Sequence, residues 1–282
     1  MRFLVFIYLS LFFTKIQAQY WEVGATAGGT STISDLQPNT PTNGSFGLTY
    51  GALARLHFTP ILSFKAMGLA GNFYATDRYA KGSRRLRNLE AKTQYYELSA
   101  TAEFNLTHYD VMDSKTSAPY LFVGIAGFYF NPQARLTLNE NTWTNLRPLG
   151  TEGQTLEGGK KSYNPIQIAV PFGIGFKVAL GKRLNLGFEA GMRYTFTDYL
   201  DDVSGNYPDL AALAKKDPNA EALSFRTREL MGSQLELPSG QKRGDSYKND
   251  LYYYIGTTLT VNLASPAKME FNEEVRNFLK SK

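Results

Sequence analysis

Between Leu184 and Thr197 the chain reads Leu-Asn-Leu-Gly-Phe-Glu-Ala-Gly-Met-Arg-Tyr-Thr-Phe-Thr. Leu184, Leu186, Phe188, Ala190, Met192, Tyr194 and Phe196 take every second position, and Asn185, Gly187, Glu189, Gly191, Arg193, Thr195 and Thr197 take the alternate ones. Successive side chains of a strand leave the backbone on opposite sides, so a period of two means a strand with unlike faces; a helix would repeat near 3.6. The run is also long enough to matter for a membrane, since about 9 to 11 residues cross a bilayer as a tilted strand.

The same alternation recurs on both sides of this segment. In 166–180 the outward set is Ile166, Ile168, Val170, Phe172, Ile174, Phe176, Val178 and Leu180, against Gln167, Ala169, Pro171, Gly173, Gly175, Lys177 and Ala179. Residues 251–263 and 95–106 repeat it, the latter with Glu97 and Glu103 on its inner face, and weaker versions occur at 20–28, 46–58, 61–75 and 119–131. These runs predict eight strands, an even number as single-chain outer-membrane barrels have. The gaps alternate in length: 59–60, 107–117 and 181–183 are short to moderate, whereas 29–45, 76–93, 132–163 and 198–249 are long. With the N-terminus in the periplasm, the long set falls outside. The expected fold is all-β, an eight-stranded antiparallel up-and-down transmembrane barrel with long extracellular loops. A soluble β-sandwich also alternates, but strands of this length with aliphatic and aromatic outer faces favour the barrel.

The leader and the composition agree with export. Arg2, the apolar run Leu4 to Phe13 and the stretch ending at Ala18 have the charge, length and small-residue close of a secretory signal peptide. The expected division is a signal peptide over 1–18, the barrel domain over 19–264 and an amphipathic periplasmic tail over 265–282. No later segment is a continuous apolar run long enough for a transmembrane helix. The chain has no cysteine, which excludes disulfides, thiol nucleophiles and Cys-based zinc sites. The net charge of +5 becomes +3 once Arg2 and Lys15 leave with the leader, and the basic residues are dispersed, so nucleic acid is not an expected partner.

Assigning faces puts Glu22, Glu97, Glu103 and Glu189 in the lumen with Arg55, Lys65, Lys177 and Arg193. Eight strands enclose only enough room for side chains, so four acids and four bases are expected to pair as a closed salt-bridged core; a proton or ion pathway is the functional alternative. Lys81, Arg84, Arg85 and Arg87 cluster in the second outer loop, where they would meet lipopolysaccharide phosphate, or the acidic fourth loop, or only solvent. Asp198, Asp201, Asp202 and Asp209 with Asn206 offer oxygens to calcium, but the spacing fits no EF-hand, and turn-capping carboxylates are the simpler reading. The run Gly175 to Lys182 superficially resembles a phosphate loop, yet its glycines are one residue too far apart and Arg183 stands where Ser or Thr is required. The two histidines, His57 and His108, both fall at periplasmic strand ends, away from an outer-leaflet substrate. No catalysis, cofactor or metal is expected. Within the fourth loop, Pro208 to Leu223 with Pro218 inside it predicts two short helices capping the barrel mouth.

Several runs carry a family resemblance: Trp21-Glu22-Val23-Gly24, Asp35-Leu36-Gln37-Pro38, Tyr95-Tyr96-Glu97-Leu98-Ser99, Pro148-Leu149-Gly150-Thr151-Glu152-Gly153-Gln154 and, most specific, Thr195-Phe196-Thr197-Asp198-Tyr199-Leu200-Asp201-Asp202-Val203-Ser204. They resemble the PorG-like outer-membrane proteins over essentially the whole mature chain. The resemblance implies a non-enzymatic barrel of the Bacteroidota type IX secretion and gliding apparatus, with PorK/PorN-like periplasmic ring proteins as partners. On a helical reading of the tail, Phe271, Val275, Phe278 and Leu279 share one apolar face, which would dock on a periplasmic partner or lie along the barrel rim. The competing functional reading is a stand-alone OmpA-type surface barrel whose outer loops act in adhesion, envelope integrity or lipopolysaccharide contact.

Overall fold

In the computed structural model, residues 20–37, 45–111, 116–137, 140–181, 183–232 and 234–264 are described. The expected leader over 1–18 and the tail residues Phe271, Val275, Phe278 and Leu279 lie outside them. Eight long strands form the wall: β1 (Tyr20–Ile33), β2 (Gly47–His57), β3 (Leu62–Thr76), β4 (Glu90–Asn105), β5 (Ser117–Arg135), β7 (Ile166–Ala179), β8 (Leu184–Thr195) and β9 (Leu251–Asn262). A short strand, β6 (Trp143–Asn145), pairs with the outer end of β5. Every wall strand is antiparallel to its neighbours, and the pairing of β1 with β9 closes the cylinder. Closure leaves no wall strand with an unpaired edge, which a hydrocarbon environment requires.

The alternation read from the sequence holds along the wall. On β4, Tyr96, Leu98 and Phe104 are exposed, while Tyr95, Glu97, Ser99 and Glu103 between them are buried. From Tyr96 to Leu106 the outward residues are apolar or small, a run of about 33 Å along the strand and about 25 Å along the normal at the usual tilt, the height of a transmembrane apolar band. Tyr50, Tyr96 and Tyr129 are exposed at its outer edge, the last two in register. An exposed apolar belt of this extent would not be stable in water, so the fold is a transmembrane β-barrel.

Inward glycines shape the lumen. Gly175 and Gly173 of β7 lie opposite Tyr120 and Phe122 of β5, and a Cβ on either glycine would overlap the neighbouring ring. The two rings thus occupy the interior space that the glycines leave empty.

The structure differs from expectation at the outer strand ends. β1 runs on to Ile33, β4 begins at Glu90 and β5 continues to Arg135, so the wall projects beyond the apolar belt and the outer loops are shorter than the gaps suggested. Above the belt, outward residues such as Gln94, Lys92, Asn131 and Gln133 face no lipid tails, and the apolar-polar contrast that marks a strand fades. Over the outer mouth, the segment between β8 and β9 carries three helices, α2 (Leu210–Lys216), α3 (Pro218–Ser224) and α4 (Arg228–Met231), while α1 (Ser83–Arg87) lies in the β3–β4 loop. Asp209 caps α2 by accepting from the Ala212 amide, and Asp217 caps α3 with Pro218 in its first turn. Tyr207, Leu210, Leu213, Ala220 and Phe225 form the small core of this cap.

Candidate functional site

The interior holds its charges in one tightly paired cluster and one separate pair. Glu103, fully buried on β4, accepts from Lys177 Nζ at 3.1 Å and lies 2.9 Å from Arg55 Nε and 3.3 Å from Lys65 Nζ. Arg55 also reaches Glu22 at 2.8 Å, its register partner on β1, and Lys65 also pairs with Glu189. Nearer the outer mouth, Arg193 Nε lies 3.2 Å from Glu97, whose carboxylate accepts from Tyr252 Oη at 2.7 Å. All eight charges assigned to the lumen are therefore inside and each touches an opposite charge. Aromatic faces complete the shell: Lys177 lies 4.8 Å from the Tyr120 ring centre and Lys65 4.8 Å from that of Phe122.

His57 belongs to this cluster and was not assigned to it from the sequence. Its Nε2 lies 2.8 Å from Glu22 and its Nδ1 2.9 Å from Ser63 Oγ. Sequence parity was the available signal, because His57 stands two residues from inward Arg55. Ser63, His57 and Glu22 have the partners of a hydrolytic triad, but Ser63 and Glu22 have 0% exposure, so no substrate reaches the hydroxyl. The three lie in a row within the wall, with Ser63 hydrogen-bonded to His57 and His57 close to the Glu22 carboxylate.

Both mouths are sealed. At the periplasmic end, Tyr109 and Val111 turn back from the β4–β5 connection and pack with Tyr20, Ala118 and Ala179; Tyr20 also stacks on His57 at 4.4 Å. His108 is exposed on the same turn. At the outer end, the rings of Phe73, Tyr95, Phe128, Phe130 and Tyr252 fill the lumen, with Tyr163 and Tyr199 stacked above at 4.6 Å.

The acidic run at the base of the cap is a hydrogen-bond acceptor set. Asp201 accepts from the Leu36 amide at 2.8 Å and the Val203 amide at 3.1 Å, and Asp250 accepts from Leu200 at 2.8 Å. Asp202 takes the Tyr163 hydroxyl at 2.7 Å, and Glu152 takes Arg243 at 3.0 Å and two loop amides. Burial pushes Asp198 up to about 8, Asp201 to about 7 and Asp202 to about 6, and the charge of Asp35 adds to the first two. Asp209 is elsewhere, on α2, so the four acids do not converge, and no group of three or more metal-ligand residues occurs among the described residues.

The basic cluster of the second outer loop is divided. Arg87 is a structural residue: Nε and Nη2 each lie 2.7 Å from the Asp77 carboxylate, and the guanidinium also donates to the Asp35 and Arg243 carbonyls. Its expected availability to lipid phosphate is therefore corrected, because the planar fork is saturated by the protein itself. Arg84 lines a cavity on the cap side of α1 with Tyr207 and Lys242, whereas Arg85 lines a different one facing β3–β6 with Arg78 and Trp143. Lys81 is exposed and lines neither of these cavities.

Among solved structures, the Neisserial surface protein NspA is similar at 12% identity, with 86% of this chain and 96% of that one covered and a TM-score of 0.42. The N-terminal barrel domain of Pseudomonas aeruginosa OprF is similar at 10% identity, covering 86% and 97% with a TM-score of 0.35, and OprG of the same organism at 9%, covering 89% and 100% with a TM-score of 0.37. Likenesses at this level concern the fold alone. No curated protein sequence matches the chain. Residues 1–149 and 151–222 match the family described as a domain of unknown function, DUF6089, and the chain belongs to that family.

Proposed function

We propose that this barrel is a non-catalytic outer-membrane anchor for a periplasmic secretion or gliding assembly. The observation that carries the reading is the sealed, internally ion-paired lumen inside an apolar belt. Such a body, its charges paired within the wall, suits a fixed point held in lipid. The histidines support the non-catalytic reading: one is buried in the wall and the other stands on a periplasmic turn. Assignment to a type IX apparatus with PorK/PorN-like ring partners rests on the sequence resemblance to PorG-like proteins. The attachment surface in this reading is the outer side of the 107–118 connection together with the tail over 265–282.

A second reading, a stand-alone surface barrel, is favoured by the extent of the folded outer cap, which has a hydrophobic core of its own. The two differ in which side of the membrane carries affinity. Mild-detergent purification of the tagged full-length protein from its own cells, followed by mass spectrometry, distinguishes them. The anchor reading expects co-recovery of a periplasmic lipoprotein and its ring partner, and loss of both on deletion of 265–282. Recovery of the barrel with lipopolysaccharide alone overturns it in favour of the surface barrel.

A further inference from the structure

The cavity of about 600 Å³ at the outer ends of β3, β4 and β5 combines unpaired positive charge with aromatic faces. Arg78 and Arg85 line it and have no carboxylate within ion-pair distance among the described residues. Its acid, Glu90, is already neutralised by Arg135 at 2.7 Å and Arg226 at 3.5 Å. Trp143, presented by β6, has Arg135 5.2 Å from its ring centre and Lys92 5.2 Å, the latter also 5.6 Å from Tyr74. The site thus has an excess of cationic donors at one wall and an indole at another. Arginine forks match phosphate oxygens bidentately, and a ring face suits the apolar C–H face of a sugar.

Its height narrows the ligand class. Beside the cavity, Lys92, whose amine lies against Trp143, stands four residues beyond Tyr96, the last outward aromatic of the belt on β4. That is about 13 Å along the strand, and about 10 Å along the normal at the usual tilt, above the hydrocarbon and at the level of polar headgroups. Long basic side chains reach several ångströms down from there.

We propose that this outer-rim cavity binds the phosphorylated sugar headgroup of an outer-leaflet glycolipid, with Arg78 and Arg85 on phosphate and Trp143 on the sugar. The site rests on the cap facing outward; binding to purified protein reads the cavity whatever the orientation in cells, so failure of one idea is separable from failure of the other.

The test is saturable binding of purified full-length protein in mild detergent to lipopolysaccharide, to the same material stripped of its phosphates, to phosphatidylglycerol and to inorganic phosphate. Paired substitution Arg78→Ala with Arg85→Ala, and Trp143→Ala separately, should each weaken lipopolysaccharide binding at least tenfold, as should dephosphorylation. Phosphatidylglycerol and inorganic phosphate should bind at least tenfold more weakly than intact lipopolysaccharide. Lys81→Ala, on the same loop but outside the cavity, should leave binding unchanged. Retention of the heat-modifiable gel shift shows that the variants are folded. Equal binding after dephosphorylation, equal binding of phosphatidylglycerol, or equal weakening by Lys81→Ala overturns the proposal.

Discussion

Glu103 faces three bases across the lumen, so its loss strands more buried charge than any other single change in the wall. Removing one partner of a buried ion pair costs about 3–5 kcal/mol, because the remaining charge is neither solvated nor paired. Glu103→Gln should therefore lower the unfolding free energy measured by urea titration in detergent micelles by an amount in that range, while an unchanged value would mean that water reaches the cluster. Gly175→Ala should also destabilise, by about 1–3 kcal/mol, since the added methyl overlaps the Tyr120 ring that donates to Glu189 at 3.1 Å. The same unfolding experiment measures it. The identity of the eight lumen charges was legible because period two and parity place them without knowledge of the partners. Arg87 was not legible: its partner Asp77 lies ten positions back and across a loop, and in sequence it looks like three neighbouring free bases.

At the scale of elements, the cap and the periplasmic plug carry separate predictions. Asp198, Asp201 and Asp202 have their pKa raised in the folded cap, so the folded state holds more protons than the unfolded one between about pH 4 and pH 8. The contribution of these groups is present in full below about pH 4, declines as pH rises and is lost as pH passes their folded values of about 6 to 8. Hydrogen exchange of amides in 196–250, corrected for intrinsic rate, should be slower at pH 5 than at pH 8, and Asp201→Asn should flatten that dependence. Faster corrected exchange at pH 5 would contradict the account. At the other mouth, Tyr109 plugs the lumen against Tyr20 and His57, so Tyr109→Ala should admit water to the inner ion pairs while the aromatic cluster at the cap end still closes the lumen. Planar-bilayer recording should show no steady conductance for either protein, and the variant should unfold at lower urea than the parent. Of the two helices expected in the cap, the second begins at Pro218 as read, because proline suits a first helical turn, whereas the first begins at Leu210 under an Asp209 cap with Pro208 outside it, and the third, Arg228–Met231, was not expected. The strand extensions above the belt were not, because the lipid that enforces alternation ends below them.

For the whole molecule, the long antiparallel strands and their closure follow from one physical demand, that every backbone polar group in the hydrocarbon be paired within the wall. That demand writes itself into sequence as long period-two runs, which is why the fold was readable from segments such as 184–197. What the barrel attaches to leaves no comparable pattern, since a docking surface needs only a local patch. Orientation is the link between the two, for the anchor reading requires the cap outside and the 107–118 turn in the periplasm. The chain has no cysteine, so single cysteines report position cleanly. In intact cells a membrane-impermeant maleimide should label Gly232→Cys on the cap and should label His108→Cys only after the outer membrane is permeabilised. Labelling of His108→Cys in intact cells, with Gly232→Cys protected, would contradict the account.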